Sequence, residues 1–321
     1  MKLRNTLNVW LSMTVVACLS AVTRATPIMP DSIDIDTIRA IPVQYDGRYM
    51  PIDTLARDLV QSVTGTQHFE NIDPVLVLLS WTFDADAWLD EPLIKVSSAE
   101  LRREIHLPES VEAFSYRQLT AHRYLHVLVD EADSAREGKK PDPLQKKVRE
   151  IYGTLLLLHD CFQGRKILLI PGANDPLEAW QPINVKQPAK SDSIDRVQRT
   201  WMALGEAFRE DDAGEFSKQG DALIVALDKL PTAFHPDTDL IATELRYNRL
   251  RPFRSAWMVL LGGTILSLLS LHFRRRSIDL VSGIVLLGGF VLLTYGLALR
   301  WAIAGRIPAS NMFESLLFLS W

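Results

Sequence analysis

Two long apolar runs near the C-terminus constrain this chain more than anything else in it. Ser255 to Phe273 (SAWMVLLGGTILSLLSLHF) and Leu280 to Leu299 (LVSGIVLLGGFVLLTYGLAL) contain no charged residue. Each is about 20 residues, the length an α-helix needs to cross roughly 30 Å of hydrocarbon at ~1.5 Å per residue. Between them Arg274-Arg275-Arg276 leaves room only for a tight turn, so the sequence predicts transmembrane helices at 255–273 and 280–299 paired as a hairpin. Gly262-Gly263 and Gly288-Gly289 would let the two helices approach closely.

Charge divides the chain into three parts. Lys2, Arg4 and Arg24 give the first 24 residues +3, and nine arginines against Asp279 and Glu314 give residues 246–321 +7. With the whole chain at −4, the middle is left near −14 and reads as a water-facing domain. An acidic surface without a basic, aromatic-interleaved patch repels nucleic-acid phosphates, which excludes DNA and RNA as partners. Residues 1–25 read as a signal peptide or N-terminal anchor: a basic start, the apolar Leu7 to Leu19, and the small-residue exit Thr23-Arg24-Ala25. Val15-Val16-Ala17-Cys18 also fits a loose lipoprotein box. Export places residues 26–250 outside the cytoplasm and the triple arginine inside, although Arg246, Arg249, Arg251, Arg254, Arg300 and Arg306 on the other side outnumber it. Long domains translocate largely regardless of charge, so the signal decides. The expected location is the inner membrane, multi-pass, with the large domain in the periplasm.

The expected fold class is a mostly α (α+β) extracytoplasmic domain followed by transmembrane α-helices. Met50 to Val63 opens with Pro51 in a first helical turn and sets Ile52, Leu55, Leu59 and Val63 on one face. A helix is predicted from Asp73-Pro74 through about Trp88, then a strand over Pro92 to Val96 and a helix capped by Ser97. Further helices are predicted over Tyr116–Ala135, Asp142–Phe162, Ser193–Arg209 and Gly214–Leu230, with a buried strand over Lys166–Ile170. Arg136 to Pro143 and Ala173 to Asp192 read as loops. Leu240 to Arg254 continues into the membrane, with Pro252 as a kink. Met312 to Trp321 (MFESLLFLSW) begins a third apolar run of about half the spanning length. It reads either as the start of a longer multi-span protein or as an interfacial tail anchored by Trp321.

The candidate chemistry is sparse. His122 and His126 stand four apart on a predicted helix, but Arg123 occupies the place where an HExxH zinc site needs its glutamate. His272 lies near the end of the first membrane helix, where a polar group needs a reason, and reads as an interfacial histidine or a cofactor ligand. Asp84, Asp86 and Asp90 read as a solvated helix end. Cys18 and Cys161 form no metal or redox spacing, and with Cys18 in the signal no internal disulfide is expected. No metal site and no catalytic residue is identified.

Four segments carry a resemblance. Asp46-Gly47-Arg48 with Pro51-Ile52-Asp53-Thr54-Leu55-Ala56-Arg57 comes first, then Asp73-Pro74-Val75 with Leu78-Leu79. Glu244-Leu245-Arg246-Tyr247-Asn248 with Pro252-Phe253 follows. The most specific is Arg300-Trp301, Gly305, Pro308, Ser310-Asn311-Met312-Phe313-Glu314-Ser315. From Ile41 onward the chain resembles the system II cytochrome c biogenesis proteins of the CcsA/ResC family with an N-terminal ResB-like periplasmic domain, and residues 300–321 resemble the start of the CcsA-like assembly domain. The resemblance implies transport of haem across the membrane and its attachment to apocytochrome c, with haem as cofactor and apocytochrome c, membrane lipid and a thiol-reducing protein as partners. As a whole such a complex is a haem lyase, or cytochrome c synthase. Its Trp-rich haem-handling core is expected after Trp321, so only Arg300, Trp301, Gly305, Pro308, Ser310, Asn311 and Glu314 carry over as motif positions, and His272 stands as the candidate haem ligand. The alternative is a membrane-tethered extracytoplasmic binding or scaffold domain without haem contact.

Overall fold

The computed structural model describes residues 26–134, 142–171, 179–184, 192–230, 236–273, 275–306 and 312–321. The expected signal, Cys18, Pro308, Ser310 and Asn311 lie outside the described residues, as do most of the two predicted loops. The chain is mostly helical.

The body begins with a short helix α1 (Asp36–Arg39) and a hairpin of β1 (Pro42–Tyr45) and β2 (Arg48–Pro51). Apolar spacing in the sequence predicts no hairpin here. Its signal was the Asp46-Gly47 pair, because a two-residue turn of right-handed strand twist needs positive φ at both positions. Asp46 has φ 49° and Gly47 φ 74°, and the register pairs Tyr45 with Arg48. Met50 and Pro51 therefore belong to a strand, and α2 (Ile52–Thr64) starts one residue after the proline predicted to lie within it. Gly65 closes α2 at φ 78°, its N–H returning to Gln61.

The core is organised around α3 (Pro74–Phe83), which is apolar nearly all round and so can only be central. Val75, Val77, Leu78, Leu79 and Trp81 have no exposure. α2 packs on one side of it, and α8 (Pro143–Phe162) and α9 (Asp192–Arg209) on others. The helix predicted through Trp88 breaks at Asp84 (φ −134°, ψ 44°), and α4 (Ala85–Trp88) restarts after it. The break has a tertiary cause. The Asp84 carboxylate accepts the Ile28 N–H at 2.9 Å, pinning the incoming chain, and Ser80 Oγ donates to Ile28 O at 2.9 Å while accepting Trp88 Nε1–H at 2.8 Å.

β3 (Ile94–Lys95), shorter than predicted, leads to α5 (Ala99–Glu104), which Ser98 caps in place of Ser97. β3 pairs with β4 (Ala113–Phe114). The single helix predicted over 116–135 is two, α6 (Tyr116–Thr120) and α7 (Arg123–Ser134), separated at Ala121-His122. After α8, β5 (Leu168–Ile170) pairs antiparallel with β6 (Gln181–Pro182). α9 and α10 (Ala213–Asp228) then pack as a pair. Isolated two-stranded ribbons are marginal in water. These are held by side chains sunk into the helical core, such as Val43 and Met50 from β1 and β2.

α11 (Thr238–Leu250) runs into α12 (Pro252–Phe273), and α13 (Arg276–Ala304) returns beside α12. Both helices of the hairpin extend beyond the charge-free runs 255–273 and 280–299. They are long and apolar enough to cross a membrane, and only 17% and 22% of their apolar windows are buried by the protein. A soluble protein does not leave so large a continuous apolar surface in water. At the closest approach a Cβ added to Gly263 would lie 2.8 Å from Leu286 Cδ2, and one on Gly289 2.7 Å from Leu260 Cγ. Gly262 and Gly288 face open space. α14 (Met312–Ser320) turns back so that Trp321 stacks on Phe290 at 6.3 Å and donates Nε1–H to Thr294 Oγ1 at 2.8 Å. Trp321 thus meets the middle of the α13 apolar run, about 15–21 Å along the axis from Ala304.

Candidate functional site: the junction between body and hairpin

Three of the four resemblance segments, distant in sequence, meet where α11 leaves the body. Asp53, in the first turn of α2, has a side chain only 2% exposed. Its Oδ2 accepts Arg57 Nε–H at 2.8 Å and Asn248 Nδ2–H at 3.0 Å, and its Oδ1 accepts Arg57 Nη2–H at 3.1 Å and an N–H from Arg39. Asn248 also donates to Thr54 Oγ1 at 2.8 Å. Arg39, at the end of α1, reaches Asp73 Oδ2 at 2.9 Å, while Asp73 Oδ1 caps α3 by accepting Val75 N–H at 2.9 Å. A second link joins β2 to α11: Arg48 Nη1 lies 3.1 and 3.2 Å from the two oxygens of buried Glu244.

Helical periodicity makes this possible. Asp53 and Arg57 share a face of α2 at i, i+4, and Glu244 and Asn248 do the same on α11, so one face of α11 reaches both Arg48 of β2 and Asp53 of α2. Burial opposes ionisation of Asp53, but Arg57 and Arg39 more than offset it and hold the carboxyl below its ordinary range. Burial likewise opposes the charge on Arg39, and Asp73 and Asp53 outweigh it, raising the guanidinium further. With both Asp53 oxygens occupied and the proton held off, the cluster has no spare acid or base near neutral pH. It acts as a clamp that fixes the helix entering the hairpin to the body.

Beside the clamp lies a cavity of about 320 Å³, bordered by Arg39, Asp53, Arg57, His68, Asp73 and Arg251 among others. Arg251 occupies the left-handed region (φ 44°, ψ 57°) between α11 and α12, a C-cap whose N–H returns to Tyr247 O, and Pro252 after it disfavours continuing the right-handed helix through this residue. Its Nη2–H donates to His68 Nε2. Burial, then the charges of Arg251 and Arg57, push the His68 pKa down, so the ring is a neutral acceptor. Neither Arg39 nor His68 is marked by the sequence, and Arg251 enters there only through its charge. The Arg-Pro step held a hint of the special backbone at Arg251, but nothing local marks Arg39 or His68.

The fourth segment is placed in part. Gly305 ends α13 at φ 62° with its N–H bonded to Trp301 O at 3.0 Å, a left-handed C-cap that favours glycine. Trp301 is exposed and Arg300 half-buried, and Glu314 falls within α14. Higher on α13, Gly296 meets Pro252 and Phe253 closely enough that an added Cβ would lie 3.0 Å from Pro252 Cβ. The hairpin is thereby held against the same joint.

His272 lies exposed at the far end of α12, its ring edge-on to Phe273 at 5.0 Å. His122 and His126 do not converge on a metal: His122 sits in the break before α7, and His126 Nε2 is engaged by Thr120 O at 2.7 Å. The three aspartates disperse, Asp84 to Ile28 N–H and Asp90 to Arg117 at 3.0 Å. Among the described residues no group of three or more His, Cys, Asp and Glu gathers around a common point. Cys161 is buried in the core, and burial pushes its thiol up to about 12.

No protein-family model matches the chain. Protein NrfI of Wolinella succinogenes is 27% identical over 299 residues, covering 86% of this chain and 32% of NrfI. The cytochrome c biogenesis protein CcsA of Prochlorococcus marinus is 42% identical over 53 residues, 16% of this chain and 17% of that protein. CcsA of Oenothera argillicola is 54% identical over 35 residues, 11% of each. The chain therefore spans about a third of NrfI and a smaller part of the CcsA proteins. By sequence it is similar to NrfI over most of its length and, in short stretches, to proteins of cytochrome c biogenesis.

Proposed function

We propose that this chain takes part in assembling c-type cytochromes by the system II route, in transport of haem across the membrane and its attachment to apocytochrome c. The observation that carries the reading is the similarity along 86% of the chain to NrfI, joined by the matching stretches of CcsA. In this reading the body is a ResB-like periplasmic domain behind an N-terminal signal or anchor. α12 and α13 span the inner membrane with the Arg274–Arg276 turn in the cytoplasm. His272, exposed at that cytoplasmic end, is assigned as a ligand for incoming haem.

The clamp suits such a role physically. Apocytochrome thiols and a haem arriving through the membrane must meet within a few ångströms, which favours a client-holding body that cannot tilt on its anchor. Asp53, Asn248, Arg48 and Glu244 tie α11 to the body, and α11 continues into α12. The test is spectroscopic. Purified in detergent with a CcsA-type partner, the complex is expected to show a Soret band that falls on His272→Ala substitution. A complex whose Soret band equals that of the partner alone would assign haem elsewhere and leave this chain a tethered scaffold.

A further inference from the structure

A second cavity, of about 260 Å³, shares Arg57, Asn248 and Arg251 with the first and is bordered also by Arg254, Tyr247 and Phe253. Three guanidiniums border it and, among the described residues, no carboxylate does. Arg57 is already neutralised by Asp53. The neighbour that Arg251 reaches is His68, held neutral, which accepts its hydrogen bond without cancelling its charge. Arg254 is exposed. The cavity therefore carries a positive excess.

The cavity also lies at the start of the apolar run of α12. Arg254 is the last charged residue before the apolar run of α12. Trp257, Met258 and Leu261 follow at three, four and seven residues, on the same helix face, and Ile265 and Leu268 extend the stripe. All five are about half exposed or more, with Leu268 at 62%. An arginine-bordered cavity thus sits directly above an uncovered apolar stripe, with a tryptophan at the boundary where such rings settle in a bilayer. A free anion would use only the first of these features. A glycerophospholipid uses both.

We propose that this cavity holds the phosphate of an anionic glycerophospholipid from the leaflet on the body's side, through Arg251 and Arg254, with an acyl chain lying along Trp257, Met258 and Leu261. The inference rests on the reading that α12 and α13 cross the membrane. It also accounts for an anomaly in the charge pattern: arginines on the body's side outnumber those in the turn because some are kept for lipid phosphate and not for orientation.

The test uses the full chain in neutral detergent, titrated with phosphatidylglycerol, phosphatidylcholine or inorganic phosphate while thermal unfolding is followed. Phosphatidylglycerol is expected to raise the melting temperature. Phosphatidylcholine and inorganic phosphate are expected to do so only weakly. Arg254→Gln should weaken the response about fivefold, and Arg251→Gln with Arg254→Gln about thirtyfold. Because Arg254 is exposed, its single variant keeps the test valid if the double variant fails to fold. Equal shifts from inorganic phosphate would replace the lipid with a soluble anion, and equal responses from Arg254→Gln and the parent would overturn the site. Release of the chain from membranes by alkaline carbonate would refute the spanning reading instead, a separate outcome.

Discussion

Replacing Asp53 by alanine removes a carboxylate that is 2% exposed and that three side chains share. Arg39 keeps Asp73, but Arg57, itself 14% exposed, loses the carboxylate it holds through two nitrogens. Asn248 loses one of its two acceptors. Breaking a buried ion pair from one side costs about 3–5 kcal/mol, because the surviving charge stays desolvated. In domains of this size about 2–4 °C of melting temperature accompanies each kcal/mol. A circular-dichroism melt of the detergent-solubilised chain should therefore fall by about 6–20 °C. Asp53→Ala combined with Arg57→Leu removes the orphaned charge as well and should recover at least ~2 kcal/mol of the loss. A single variant that melts within about 2 °C of the parent, or a double variant that melts no higher than the single, would refute the clamp.

Four further outcomes follow from the structure. Asp53 has a lowered pKa in the folded chain, so its contribution is present above the unfolded value near ~3.9 and is lost as pH falls through and below it. His68, also lowered, faces Arg251 and Arg57, with Asp73 nearby; its neutral form is favoured by folding, so stability should already drop as pH falls below ~6.5, a step that His68→Gln abolishes in melts against pH. Cys161, buried with its thiol pushed up to about 12, should resist maleimide in the native chain and react on denaturation; rapid native labelling would contradict its burial. Gly263→Val or Gly289→Val should lower the melting temperature of the hairpin by forcing Leu286 or Leu260 aside, whereas Gly262→Ala and Gly288→Ala should be tolerated.

The parts of the fold legible in the sequence are those written in local periodicity. α9, α10 and the hairpin fall within a few residues of where apolar spacing and uncharged length place them. The misplaced boundaries have non-local causes. The helix through Trp88 breaks because Asp84 serves the Ile28 backbone 56 residues away, and propensity carries no record of that. The β1–β2 hairpin is the exception, since Asp46-Gly47 is a local turn signal that apolar periodicity does not register. For the site, resemblance marked Asp53, Arg57, Glu244 and Asn248 one segment at a time. That Asn248 reaches Asp53 across 195 positions of sequence is a tertiary fact. Arg39 and His68 contribute through the same packing, and nothing in their sequence neighbourhood announces it.

The clamp and the cavity proposed for lipid share Arg57 and Asn248, so the body and the start of the hairpin form one mechanical unit. The most direct test of the role assigned to that unit is covalent haem in c-type cytochromes, read by haem staining of cells whose gene for this chain has been deleted. Such cells are expected to hold apocytochrome without thioether-bound haem, with unaltered b-type cytochromes, and to be restored by the intact gene but not by one carrying Asp53→Ala. Normal levels of holocytochrome c in the deletion strain, with no second assembly system present, would contradict that role.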